Sequence, residues 1–153
     1  MIPITDTDLI LRLSAATLFG LLVGIERSRV GKRAGMRTYG LVALGAALFV
    51  VIGVYVASLF PASFAENTLR VTSQIVVGIG FLGAGVIFVE REVLTGLTTA
   101  AGMWVVAAIG AASGFGLYTL AAYVTFLTLF IFEGLWYIEN RFIRKAKSSD
   151  KSE

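Results

Sequence analysis

The chain contains no cysteine and no histidine in its 153 residues. Without thiols it can form no disulfide and run no thiolate chemistry. Without imidazole it lacks the side chain best suited to acid–base work near neutral pH. Zinc sites built on Cys or His are excluded as well. Charge is also scarce: 15% of residues are charged, against about 25% in soluble domains. Hydrophobic residues make up 57%, and the mean hydropathy is +0.84. These values belong to the membrane class rather than to a soluble domain. No phosphate-binding Walker loop is present, because Gly31-Lys32 runs into Arg33 with the wrong preceding spacing. No paired carboxylates, nucleophile–base set or metal cluster stand out, so neither an enzyme nor a bound cofactor is expected.

Five apolar segments fill most of the chain: Leu9–Ile25, Tyr39–Phe60, Val71–Val89, Leu94–Ala112 and Phe115–Ile138. A helix needs about 20 residues to cross a hydrocarbon core about 30 Å thick. The expected fold is therefore an all-α, polytopic membrane bundle of five transmembrane helices occupying residues 1–138, followed by a charged tail at 139–153. The first span is short and requires Arg12 to snorkel. It is expected to be retained, because Asp6 and Asp8 replace a basic leader and no small-residue cleavage site follows. The intervals Glu90–Val93 and Ser113–Gly114 read as tight helical hairpins. A four-span alternative, with a re-entrant piece in spans three and four, is also compatible with the glycine density there.

Charge placement sets the orientation. Of 13 basic residues, all but Arg12 and Arg70 fall in the first loop (Arg27, Arg29, Lys32, Arg33, Arg37), the third loop (Arg91) or the tail (Arg141, Arg144, Lys145, Lys147, Lys151). Five spans put these three regions on one side. The positive-inside rule then places them in the cytoplasm, with the N-terminus outside and the C-terminus inside.

Glycine is concentrated at Gly78, Gly80, Gly83 and Gly85, within an uncharged run. In water such density weakens a helix by about 1 kcal/mol per residue relative to alanine. In a bilayer the backbone must bond to itself, and the glycines offer bare backbone for close contact. The run matches G-x-G-x-x-G by letter, but no βαβ unit surrounds it and no acidic ribose ligand follows, so nucleotide binding is rejected. Small residues spaced on one face, Ala16, Gly20 and Gly24 in the first span and Gly80 with Ala84 in the third, predict helix packing and a homo-oligomer. Glu26-Arg27 and Glu90-Arg91 each precede a glycine turn, threonines and an Ala/Gly patch. Spans 1–2 and 3–4 could therefore form a parallel repeat, or the likeness could arise from their shared Ala/Gly/Val composition.

The densest polar site is expected at the ends of spans one and two, where Glu26, Arg27, Arg37 and Thr38 could meet. A Glu26–Arg37 ion pair is one arrangement. The other basic residues of this loop set topology and touch anionic lipid. Thr95 is read as a helix cap, and Thr98 and Thr99 as candidates for bonds across helices. Trp104 lies too deep for an interfacial belt and is expected to pack against small neighbours or line a cavity. Glu133 is either a charge within the fifth span or an interfacial one beside Trp136 and Tyr137.

Three stretches in order resemble a known family: Gly24–Arg27 with Gly35–Gly45, then Gln74–Ile87, then Gly96–Trp104 through Ala107–Gly110. They are similar to the signatures of the MgtC/SapB membrane proteins. The resemblance implies a multi-pass protein of the bacterial inner membrane, associated with adaptation to low magnesium and with survival of pathogens inside macrophages. It also implies a regulatory role through membrane partners, with F-type ATP synthase as a candidate. Longer members carry a soluble C-terminal domain, whereas only the short charged tail follows the fifth span here. The competing expectation is an oligomeric ion or small-solute transporter or channel. The lipid bilayer is the expected environment, and no nucleic-acid partner is expected.

Overall fold

In a computed structural model, residues 5–60, 64–90, 92–135 and 137 are described. Arg91, Trp136 and the basic tail at 139–153 lie outside the described residues. The chain forms α1 (Asp6–Arg29), α2 (Met36–Ser58), α3 (Phe64–Gly85), β1 (Phe88–Glu90), β2 (Val93–Thr95), α4 (Leu97–Gly114) and α5 (Tyr118–Leu129), which continues as a π-helix (Phe130–Leu135). Among the described residues, five helices are long and apolar enough to cross a membrane, as the hydropathy pattern requires.

The core is made by close backbone approach. α2 lies centrally, against α1, α3 and α4, while α5 closes on α1 and α4. A Cβ added at Gly20 would stand 2.7 Å from both the Ala43 Cβ and the Tyr39 carbonyl oxygen. One added at Gly114 would stand 2.8 Å from the Ala47 oxygen. Only glycine permits α1 and α4 to sit this near α2, the geometry that small residues give membrane helices. Buried hydroxyls bond within their own helices: Ser113 donates to the Ile109 carbonyl at 2.9 Å and Thr125 to that of Ala121 at 2.7 Å. They satisfy themselves in a medium that offers no water.

α3 is peripheral. Among the described residues, Ile79 is its one buried hydrophobic side chain.

The α3–α4 link departs from the expected helical turn. The helix stops at Gly85, and β1 and β2 form an antiparallel pair joining Phe88 with Thr95 and Glu90 with Val93. The apolar run Val86-Ile87-Phe88-Val89 is rich in β-branched and aromatic residues, which suit a strand as well as a buried helix. Glu92 at φ 65° supplies the turn, and Gly96 at φ 89° leads into α4. The all-α expectation is corrected to that extent. The two connections that a repeat would relate are therefore built differently, one as a β-hairpin and the other, between α1 and α2, as a short turn in which the Ser28 hydroxyl accepts from the Met36 N–H at 3.0 Å. The α4–α5 link is Phe115–Leu117 rather than Ser113–Gly114, turning at Gly116 (φ 79°).

Candidate functional site

The basic end of the bundle, where α1 ends and α2 and α4 begin, holds its only buried charges among the described residues. Glu26 and Arg27 are 3% and 4% exposed. Arg27 donates from Nε and Nη2 to the two carboxylate oxygens of Glu26. The guanidinium also lies over the Phe132 ring, 3.6 Å from its centroid. The π-helical stretch places Phe132 inward while Glu133 stays exposed. Such irregular turns recur at functional sites. Beside this cluster, the Tyr39 hydroxyl donates to the Thr99 carbonyl at 3.1 Å. A Cβ at Gly102 would be 2.6 Å from Phe132 and 2.7 Å from the Tyr39 hydroxyl, so these three residues form one packed unit.

The arrangement neutralises charge rather than exposing it. Both Glu26 oxygens are engaged by Arg27, which leaves the carboxylate poorly disposed to bind a metal. The expected Glu26–Arg37 pair is corrected: Arg37 and Thr38 instead line a cavity of about 990 Å³ bounded by α2, α3 and α4. Thr98 is exposed and lines a second cavity of about 530 Å³ at the basic end, with Lys32 and Arg33. Thr99 is buried, and it is its backbone oxygen that bonds across helices. Thr95 caps nothing; its hydroxyl donates to the Phe88 carbonyl within the β-hairpin, and Gly96 holds the cap position. Arg33 reaches Glu90 at 3.8 Å, but both are well exposed and the pair contributes little.

The glycines divide by helix. Gly20 and Gly24 of α1 pack against α2 and the turn leading into it. In α3 only Gly83 has a neighbour, Ala100, whose Cβ would be 3.7 Å from an added Cβ. Among the described residues, a Cβ at Gly78, Gly80 or Gly85 would meet nothing within 4 Å, so these three make no close helix contact there. Trp104 is corrected as well: it is 49% exposed on the outside of the bundle rather than packed inside it.

Sequence reasoning missed a polar lock at the opposite end. Arg12 pairs with Asp8 at 2.8 Å and donates from Nη1 to the Gly114 carbonyl at 2.9 Å, satisfying the C-terminus of α4. The i,i+4 spacing of Asp8 and Arg12 was the available signal. Phe132 and Tyr39 were also missed, because nothing in a run of aromatic and aliphatic residues marks which of them turns inward.

Five membrane-length helices, glycine-mediated contacts and one desolvated ion pair define a multi-pass membrane protein. The profile of the MgtC family matches residues 13–141, and the chain belongs to that family. It is 39% identical over 142 residues to the Escherichia coli (strain K12) protein named "Putative magnesium transporter YhiD", covering 90% of this chain and 65% of the relative. It is 44% identical over 133 residues to Protein SrpB of Synechococcus elongatus, covering 80% and 72%. Against Protein MgtC of Brucella abortus it is 47% identical over 113 residues, covering 74% of this chain and 45% of the relative. The chain thus spans just under two thirds of the YhiD protein and less than half of the Brucella one. No solved structure matches.

Proposed function

We propose that this chain is a regulatory protein of the bacterial inner membrane that acts through helix–helix contacts with other membrane proteins. The observation that carries the reading is the outer face of α3. Gly80 and Ala84 lie one turn apart there, and a Cβ at Gly80 would meet nothing within 4 Å. Beside them Phe81 is 81% exposed. A bare backbone flanked by a large aromatic is a surface on which another membrane helix can seat closely. The basic loop between α1 and α2 faces the cytoplasm in this reading, and the N-terminus faces outward. A magnesium-related role is suggested by the names of relatives, and F-type ATP synthase is the candidate partner that the family resemblance suggests. A second copy of the chain is the other candidate.

The competing reading is transport, and what favours it is the cavity beside α3. Its charged lining residues are Arg37 and Arg70, and among the described residues no carboxylate lines it. That is the wrong sign for Mg²⁺, which prefers carboxylate and water oxygens in octahedral geometry. Among the described residues no group of three acidic, His or Cys side chains could hold a metal ion.

The test pairs two assays. Tagged protein extracted from native membranes is expected to retain a membrane partner or a second copy, and Gly80→Leu to lose it. Recovery of neither would count strongly against the regulatory reading. In proteoliposomes the protein is expected to pass no Mg²⁺ under a gradient. Saturable flux would replace regulation with transport.

A further inference from the structure

The gap between α2 and α3 is a wedge, and its glycines measure it. Where the helices meet, a Cβ at Gly53 would be 3.1 Å from Val71. Toward Arg37 they part: a Cβ at Gly45 or Gly78 would meet nothing within 4 Å. The resulting groove, about 990 Å³, is walled mainly by aliphatic side chains, Phe49 and Met103, with Gln74 as a neutral polar member. Its rim is open, with Leu41 68%, Phe49 61% and Leu82 48% exposed. From Arg37 to Phe49 the groove follows α2 for about 18 Å at 1.5 Å per residue. One leaflet of a hydrocarbon core is about 15 Å deep. An open apolar groove at that depth faces acyl chains, not water.

The charge lies at its mouth. Arg37 is in the first turn of α2, exposed, with Thr38 beside it, and among the described residues no carboxylate pairs with it. Among the described residues, no acidic residue lines the groove. A guanidinium at the membrane surface above an apolar channel one leaflet deep is complementary to a phosphate that carries an acyl chain.

We propose that the α2–α3 groove is a binding site for an anionic phospholipid, with one acyl chain along Gly45 and Gly78 and the phosphate held by Arg37. The groove lies on the opposite side of α3 from Gly80 and Ala84, so the site does not depend on the partner surface proposed above. Lipid bound there would brace the helix that the chain's own core holds least. It would also couple the position of α3 to the anionic lipid content of the membrane.

The test is native mass spectrometry of the full chain, delipidated in mild detergent and titrated with phosphatidylglycerol or phosphatidylcholine of the same chain length. The wild type is expected to retain phosphatidylglycerol about tenfold better, because the choline cation of phosphatidylcholine offsets the phosphate charge that Arg37 would hold. Arg37→Gln is expected to abolish that preference while leaving chain binding. Gly78→Leu fills open space and is expected to lower retention of both lipids; Gly45→Leu serves the same end if the first variant does not fold. Helicity by circular dichroism confirms that each variant is intact. Excess inorganic phosphate is expected not to displace the lipid. Equal retention of the two lipids by the wild type, or groove-filled variants that bind as well as the wild type, would overturn the proposal. Displacement by phosphate alone would reduce the site to an anion site. A lipid-free dimer that dissociates with Gly78→Leu would assign the groove to a second copy instead.

Discussion

Replacing Arg27 by methionine strands the Glu26 carboxylate in a site where it is 3% exposed. Removing one partner of a buried ion pair costs about 3–5 kcal/mol, mostly because the other charge stays desolvated. Arg27 also stacks 3.6 Å from the centre of the Phe132 ring. A desolvated cation–π contact adds about 2 kcal/mol. The loss for Arg27→Met therefore falls at the upper end of the range, about 5 kcal/mol. Glu26→Gln leaves the cation over the ring with a neutral oxygen still facing it, and is expected to cost about 2 kcal/mol, the scale of a hydrogen bond to a charged group. The double variant has no stranded charge and is expected to be more stable than Arg27→Met alone, a coupling of at least about 2 kcal/mol. Equilibrium unfolding in mixed detergent micelles, followed by helicity, measures all four corners of the cycle. If Arg27→Met unfolds within about 1 kcal/mol of the wild type, or if the two substitutions simply add, the pair is not the desolvated lock described here.

Three further outcomes follow from the packing and the charges. Gly20→Leu drives a side chain into Ala43 and the Tyr39 carbonyl, and is expected to cost about 3 kcal/mol in thermal unfolding, while Gly80→Leu in open space changes stability by less than about 0.5 kcal/mol. Arg12→Gln removes the contact to the Gly114 carbonyl and the Asp8 pair, and is expected to cost about 1–2 kcal/mol in the same melt. Because the chain has no cysteine, a single cysteine at Lys32 or at Leu59 can be labelled without background. A membrane-impermeant maleimide on intact cells is expected to reach the Leu59 position and not the Lys32 position, and the reverse would overturn the orientation.

The helix count was legible because each apolar run approaches bilayer length and charges or glycines separate the runs. The boundaries of α3 were not. Its first turns contain Glu66 and Arg70, which hydropathy reads as loop, and its far end runs into Val86-Ile87-Phe88-Val89, which hydropathy reads as membrane. Hydrophobicity does not distinguish a strand from a buried helix over so few residues. The charged site was legible in composition but not in pairing. Neighbouring residues on a helix do not face one another, so Glu26 pointed more naturally to Arg37 than to Arg27. The structure resolves this by folding the Arg27 side chain back against Glu26 beneath Phe132. The glycines were visible as packing residues, but which helix packs on them is a tertiary matter. The sparse glycines of α1 and α4 lie in close helix contacts, whereas in the dense α3 run Gly80 faces outward and Gly78 and Gly85 line cavities.

The central claim is that the outward face of α3 is a surface for another membrane helix. A photo-crosslinking amino acid at Phe81, activated in native membranes, tests it most directly. The expected result is one discrete adduct, either with a defined membrane protein or with a second copy, that disappears when Gly80→Leu is added. A diffuse smear of lipid adducts unchanged by Gly80→Leu would contradict it.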